Sequence, residues 1–386
     1  MRWIVTDNIY NETWRQLLEF SNAELTIDKI KLRHGSGKSK SDEANYLKQA
    51  TQARVCVMQA KEYFDAARAS TLFTRPNHVY YGAVALASLM MLVLGDGRKS
   101  LDYLRQDKKN NNHGLDFTTG CNAKMASSGT HLLENTHAEI LKFGHFSNWY
   151  DVLPSVGKTY GMKRTNGKRN SSVEYSPVGT FNVCSSAELH GKKKKIIDLL
   201  RHMPDLTIDL DRFGIEVYCS RINLDTIADG DFMGRFSWRI HNCKSLDERD
   251  SILDKFRIAP KYANSFSWLG EDDAKVGIIE LTLERELDFH FSWPSSRDNL
   301  NHESIAYADT LYTFEIVDLY ILAYQLSMLS RYFPDIWVGC IESHCRAAKL
   351  IDLAVDTIVK KFPILALSML ASDEIIISTH RQPWLM

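Results

Sequence analysis

Two tracts far apart in the chain hold the residue types best suited to an anion. The first is Arg75-Pro76-Asn77-His78-Val79-Tyr80-Tyr81-Gly82; the second is Leu326–Trp337, centred on Arg331-Tyr332-Phe333-Pro334. Arg331 offers a planar fork of donors that fits phosphate or carboxylate better than a lysine ammonium does. Between the tracts, Asn110-Asn111-Asn112-His113-Gly114 sets a histidine beside a glycine that permits a sharp turn, and Lys108 and Lys109 add positive charge. His113, Arg331, Tyr80, Tyr81, Lys108 and Lys109 are therefore the ligand-binding candidates. A plainer reading stands beside this one: tyrosines in the core, Arg331 as a helix stop near the negative end of a dipole, His113 as a solvated loop residue.

Other chemistry finds little support. His131, Glu134, His137, Glu139 and His145 form the densest titratable cluster, but their spacing does not put two histidines on one helical face as HExxH does. His137-Ala138-Glu139 is not followed by the ProCysxxCys of a zinc deaminase. The sequence has no phosphate loop, no strand-linked GxGxxG and no GxSxG elbow. No metal or cofactor is expected, and no catalytic residue can be assigned. Two basic stretches are candidates for nucleic acid: Lys163, Arg164, Lys168 and Arg169 in a glycine-rich break, and Lys192, Lys193, Lys194 and Lys195. Three Phe-Ser-Trp triplets (Phe236–Trp238, Phe266–Trp268, Phe291–Trp293) supply aromatic rings and read best as strand positions.

Positioning these residues falls to long apolar elements. Leu47, Ala50, Ala53, Val57, Ala60, Phe64 and Ala67 recur at spacings of three and four, one face of a long helix opening near Asp42 and Glu43. Val79–Leu94 is apolar almost all round and must be covered; its sixteen residues fall short of the ~20 that span a bilayer. Asp309–Arg331 repeats that pattern and stops ahead of Pro334. Residues 98–130 read as loop, and Lys192–Arg201 as a short helix. Leu206–Leu210, Ile215–Cys219 and Val276–Leu283 read as strands. Ser343–Phe362 reads as a helix broken by Pro363, with an apolar stretch Ile364–Leu370 after it.

With 386 residues, 44% hydrophobic and 25% charged, the chain can bury a sizeable core in more than one part. A net charge of −1 gives no global electrostatic case for membrane or nucleic acid. Seven cysteines without CxxC spacing, and a start lacking a signal peptide's apolar core, point to a reducing cytoplasm.

Gln59-Ala60, Tyr63-Phe64, Ala66-Ala67, Pro76, Tyr80-Tyr81-Gly82, His113-Gly114-Leu115, and Arg331-Tyr332 with Pro334 and Trp337 together resemble the YaaC-like family of bacterial proteins. The resemblance spans most of the chain and implies an architecture; it confers no activity. Where the family has Asn-Leu-Ala-Lys-Ala after Tyr-Tyr-Gly, this chain reads Ala85-Leu86-Ala87-Ser88-Leu89 and so lacks that asparagine and lysine.

The expected fold is α+β and predominantly helical. An N-terminal helical part (1–156) and a C-terminal helical part (301–386) share one core, and a β-rich middle part spans 157–300. The function expected is recognition of an anionic small molecule or RNA by a cytoplasmic binding protein, with a protein partner or self-association also open. The alternative is an enzyme acting on nucleotides or nucleic acid, such as a toxin-like effector in antiphage defence.

Overall fold

The computed structural model describes residues 2–34, 39–97, 100–153, 159–162, 175–178, 185–223, 234–240, 245–255, 263–269, 276–283, 291–292, 303–307, 315–371 and 375–378. Helix α1 (Lys40–Ala69) starts at a capping box: Ser39 Oγ accepts from the Asp42 amide at 3.2 Å, and the Asp42 carboxylate accepts from the Ser39 amide at 3.1 Å. Its face of Ala53, Val57, Ala60, Phe64 and Ala67 is buried against α2 (Arg75–Leu94). Gly82 makes that approach possible, because a Cβ there would sit 2.7 Å from the Phe64 ring. Helix α3 (Glu315–Tyr332) packs on α2, with the Tyr80 and Tyr320 ring centroids 5.7 Å apart. Pro334 then opens α4 (Pro334–Glu342), and α5 (Arg346–Ala371) closes the bundle.

One hydrophobic cluster runs from Trp14 to Ile377, so the N- and C-terminal helices do share a core. Leu189 to Leu210, which the sequence groups with the middle part, also contribute to that core. Against it lies a three-stranded antiparallel sheet in the order β1 (Leu115–Thr119), β2 (Thr136–Ile140), β3 (Lys193–Lys195). A second antiparallel sheet runs Phe291–Ser292, Glu303–Tyr307, Cys219–Asn223, Gly234–Ile240, Val276–Leu283, Ala263–Leu269. Phe236–Trp238 and Phe266–Trp268 sit on its strands, Phe291–Ser292 forms its edge, and Trp293 lies outside the described residues. Finally, Arg2–Val5 pairs in parallel with Ile375–Ser378, which joins the two ends of the chain.

Several elements differ from the sequence reading, each for a physical reason. Leu206–Leu210 is helical, a 3-10 turn at Pro204–Leu206 leading into Thr207–Arg212. Its Leu-x-Ile-x-Leu alternation also fits an i, i+4 pair: Leu206 and Leu210 are buried while Ile208 is 66% exposed. Of Ile215–Cys219, only Cys219 is in a strand. The stretch 98–130 holds a helix (Leu101–Gln106) and β1, a polar strand whose one buried position is Leu115. Lys192–Arg201 divides into β3 and a helix, Ile196–Arg201, because Lys194 turns inward. Pro363 does not break α5: Phe362, Ile364, Ala366 and Leu367 are all buried around it, which outweighs the ~3 kcal/mol of a mid-helix proline. Residues 309–314 lie outside the described set, and α3 runs from Glu315.

Helix α2 starts at Arg75 and has 20 residues, so length alone does not exclude a membrane span. Among the described residues it is the one helix long and apolar enough to cross a bilayer, and 78% of its apolar window is buried inside the protein.

Two charged side chains, Lys361 and Glu315, are also enclosed, and the exposed Asp205 reaches in to Lys361. Lys361 Nζ lies 2.5 Å from Glu315 Oε1 and 2.6 Å from Asp205 Oδ2, and joins α5, the start of α3 and the 3-10 turn at 204–206.

Leu86 on α2 and Leu322 on α3 are completely enclosed, whereas Leu32 is 89% exposed. Leu86→Ala or Leu322→Ala should each cost about 2–5 kcal/mol in urea denaturation. Leu32→Ala should stay within about 0.5 kcal/mol. Equal effects at the three positions would contradict the shared α2–α3 core.

Candidate functional site

The site begins with two interlocked turns. Gly114 has φ +76°, and a Cβ there would come 2.9 Å from both the Phe146 amide nitrogen and its Cβ. Gly144 has φ +131°, and a Cβ would run into Asn112 and Gly114. With both glycines in place the turns close on each other: the amides of His145 and Phe146 donate to the carbonyls of Asn112 and His113 at 2.9 and 3.0 Å. The Asn112 side chain accepts from the Gly114 amide at 2.7 Å. His113 and His145 are thereby held side by side along α2.

Arg331 reaches the same place from the end of α3. Its Nη1 donates to the Tyr81 hydroxyl at 2.6 Å and its Nε to the Ser327 carbonyl at 3.3 Å. The guanidinium carbon lies 5.3 Å from the Tyr81 ring centroid and 5.0 Å from that of Tyr332, a cation–π contact with each. Ser327 and Ser330 both donate to the Asn77 side chain, at 3.1 and 2.7 Å, which bolts the C-terminal end of α3 to the N-terminal end of α2. The Trp337 indole donates to the Phe73 carbonyl at 3.1 Å and fixes α4 on the same corner. Among the described residues Arg331 has no carboxylate partner, although Arg75 pairs with Asp356 at 2.9 Å.

Behind this surface lies a chain of polar contacts. Tyr80 hydroxyl is 2.9 Å from His113 Nδ1, and the Tyr80 and Tyr320 rings meet edge to face, their centroids 5.7 Å apart. Tyr320 hydroxyl is 3.0 Å from His145 Nδ1, and His145 Nε2 is 3.0 Å from Ser88 Oγ. Tyr324 packs against the rings of Tyr80 and His113, at 5.5 and 5.6 Å, and donates to the Leu115 carbonyl at 2.9 Å. Desolvation, helped by the Arg331 charge, holds His113 below the usual imidazole range. Burial, with a smaller contribution from His113, pushes His145 down to about 4. Burial also lifts Tyr80 well above the usual phenol range and Tyr324 to about 12. At neutral pH the whole chain is uncharged. His113 and His145 both line a cleft of about 580 Å³, together with Val84 and Ser88 of α2 and Asn110, Asn111, Asn112 and Asn148.

The structure thus brings His113, Tyr80, Tyr81 and Arg331 to one corner, Tyr80 as a fully buried backing and Tyr81 at the surface. Lys108 and Lys109 lie exposed in the adjoining 3-10 turn, with Lys109 Nζ 5.1 Å from the Phe143 ring centroid. The second basic tract does not form one face. Lys192, Lys193 and Lys195 are exposed, but Lys194 is buried, 3.8 Å from Asp318, and so is unavailable to a phosphate; Lys193 pairs with Glu139 at 3.6 Å. Lys163, Arg164, Lys168 and Arg169 lie outside the described residues. His131 and His137 sit on separate elements, and no group of three metal-ligating side chains occurs among the described residues. Sequence reasoning missed Ser88, His145, Tyr320 and Tyr324. Two signals were legible: the i, i+4 tyrosines at 320 and 324, and the serine at 88 where the resemblance leads one to expect lysine.

The depressed His145 has a direct consequence. The unfolded chain binds its proton near pH 6.5 and the folded protein only near 4, so between these values acid favours unfolding. Stability contributed by neutral His145 should be complete above pH 6.5 and fall by on the order of 3 kcal/mol as pH drops towards 4. His145→Asn should flatten that part of the stability–pH curve measured by chemical denaturation; an unchanged slope would show that His145 is not the titrating group.

No curated protein and no solved structure matches this chain. The model of the family described as YaaC-like Protein matches residues 18–370, a span that takes in the buried helices, both interlocked turns and the Arg331 corner. The chain belongs to the YaaC-like protein family.

Proposed function

We propose that the corner formed by Arg331, Tyr81, Tyr332 and His113 binds a nucleotide, free or at the end of an RNA, and that the protein acts by recognition. The observation that carries this is Arg331 itself. It is held at a helix end between two tyrosine rings, without a carboxylate partner among the described residues; Nε, Nη1 and Nη2 each give one hydrogen to Ser327, Tyr81 and Met328, which leaves one hydrogen on each terminal nitrogen for a phosphate. Tyr81 and Tyr332 are 37% and 60% exposed, rings on which a base can stack. From Tyr81 to Ser88 along α2 is seven residues, about 10 Å at the helical rise, the scale of one nucleotide between Arg331 and the cleft.

Recognition is favoured over catalysis by the same electrostatics. A histidine base needs a neighbour that stabilises the imidazolium formed when it takes a proton. Here the chain behind His113 is neutral and ends at a backbone carbonyl, and Arg331 penalises a second positive charge. Such a histidine serves as a neutral hydrogen-bonding group.

Titration calorimetry with adenosine 5′-monophosphate and with a short single-stranded RNA tests the proposal and separates the two sources of phosphate. Arg331→Lys should weaken binding about tenfold or more while leaving the melting temperature nearly unchanged, because the charge stays and the fork geometry is lost. Absence of binding by either probe, or a variant that melts with no separable loss of affinity, would make Arg331 a structural helix stop.

A further inference from the structure

Between α4 and α5 the chain reverses direction and lays two thiols against each other. Ser343 Oγ donates to the Cys340 carbonyl at 2.7 Å and accepts from the Cys345 amide at 3.3 Å. His344, with φ +50°, takes the left-handed geometry that turns a chain away from a helix end. Among the described residues it is the one non-glycine with positive φ. The reversal returns Cys345 to the side of Cys340, and the two Sγ atoms lie 3.9 Å apart, in van der Waals contact.

The two sulfurs differ in what can reach them. Cys340 is completely enclosed, and burial, with Cys345 beside it, pushes its thiol up and keeps it protonated. Cys345 is half-buried and directly precedes the first turn of α5, the end of a helix that favours negative charge. An oxidant therefore meets Cys345 first, and Cys340 waits behind it already in contact. Cys121 is buried and donates to the His131 carbonyl at 3.3 Å, and Cys56 is buried within α1.

We infer that Cys345 and Cys340 form a reversible thiol–disulfide couple, in which Cys345 takes up a small-molecule disulfide and Cys340 resolves it. The inference is independent of the nucleotide reading above. With oxidised glutathione, the Cys345 thiolate attacks one sulfur of the reagent. The S–S bond breaks, and the first glutathione leaves as a thiolate that takes up the proton Cys345 released. Cys340 then gives up its proton and attacks Cys345 Sγ; the mixed disulfide breaks, and the second glutathione leaves and takes that proton. Two protein thiols are oxidised to one disulfide, and one glutathione disulfide is reduced to two thiols. In a reducing compartment such a bond is transient and reports the thiol balance around it.

The experiment treats the full-length protein with oxidised glutathione without denaturant, blocks the remaining thiols with N-ethylmaleimide and maps the peptides by mass spectrometry. Wild type should yield a Cys340–Cys345 disulfide, lost again on treatment with dithiothreitol. In Cys340→Ser, glutathione should remain on Cys345; in Cys345→Ser, Cys340 should stay a free thiol. Before oxidation, N-ethylmaleimide should label wild-type Cys345 about tenfold or more faster than Cys340. A wild-type Cys345 that stays reduced or stops at the glutathione adduct, or that bonds to Cys121 in place of Cys340, overturns the couple. A Cys340 labelled as fast as Cys345, or glutathione found on Cys340 in Cys345→Ser, overturns the order of attack. The decisive readings are made on the wild-type protein, so they hold even where a variant fails to fold.

Discussion

Helix α2 is apolar on almost every side, and a segment of that kind has no stable place in water. The rest of the fold can be understood as its enclosure. Helix α1 covers one face through Phe64 and the gap left by Gly82, α3 covers another through Tyr320 and Tyr324, and α5 adds Phe362 against Phe64. The polar chain from His113 to Ser88 exists because α2 also carries two side chains, Tyr80 and Ser88, whose hydroxyls must be satisfied once buried. Enclosing the helix thus creates a set of buried polar contacts as a by-product, and the candidate site is the point where that set reaches the surface.

The enclosed charges act differently. Removing Lys361 and Glu315 from water is costly, and their contact with each other and with the exposed Asp205 offsets that cost only in the observed geometry. What they add is register: α3 cannot slide along α5 without separating these partners. The contacts of Ser327 and Ser330 with Asn77 fix the opposite end of α3. Pinned at both ends, α3 presents Arg331 to Tyr81 with little freedom, as recognition by a rigid guanidinium requires.

Much of this architecture was legible from periodicity. Val79–Leu94, the α1 face and the apolar run before Pro334 all announce buried helices, and the aromatic triplets at 236–238 and 266–268 announce strands. Local ambiguity defeated the rest. Leu206-Thr207-Ile208-Asp209-Leu210 fits both periods, and only burial of Leu206 and Leu210 on one side decides for the helix. Pro363 stops an isolated helix but not one whose neighbours are buried on both sides of it. Of the site, Tyr80, Tyr81, His113 and Arg331 stood out by residue type. Ser88 was marked only by its departure from the lysine the resemblance leads one to expect, and His145 only as one of a titratable cluster; neither gains a role until a turn from elsewhere brings the histidine 3.0 Å from the serine.

The parallel pairing of Arg2–Val5 with Ile375–Ser378 bears on how the protein yields to mechanical load. Arg2 faces Ile375 and Val5 faces Ser378, so the outer end of the first strand and the outer end of the last lie at opposite ends of the ladder. Tension applied through the two ends of the chain acts along these strands and shears them past one another. The four residue pairs must then give way together, where an antiparallel closure would peel open one rung at a time. The two strands are therefore paired in an arrangement that loads all four rungs at once.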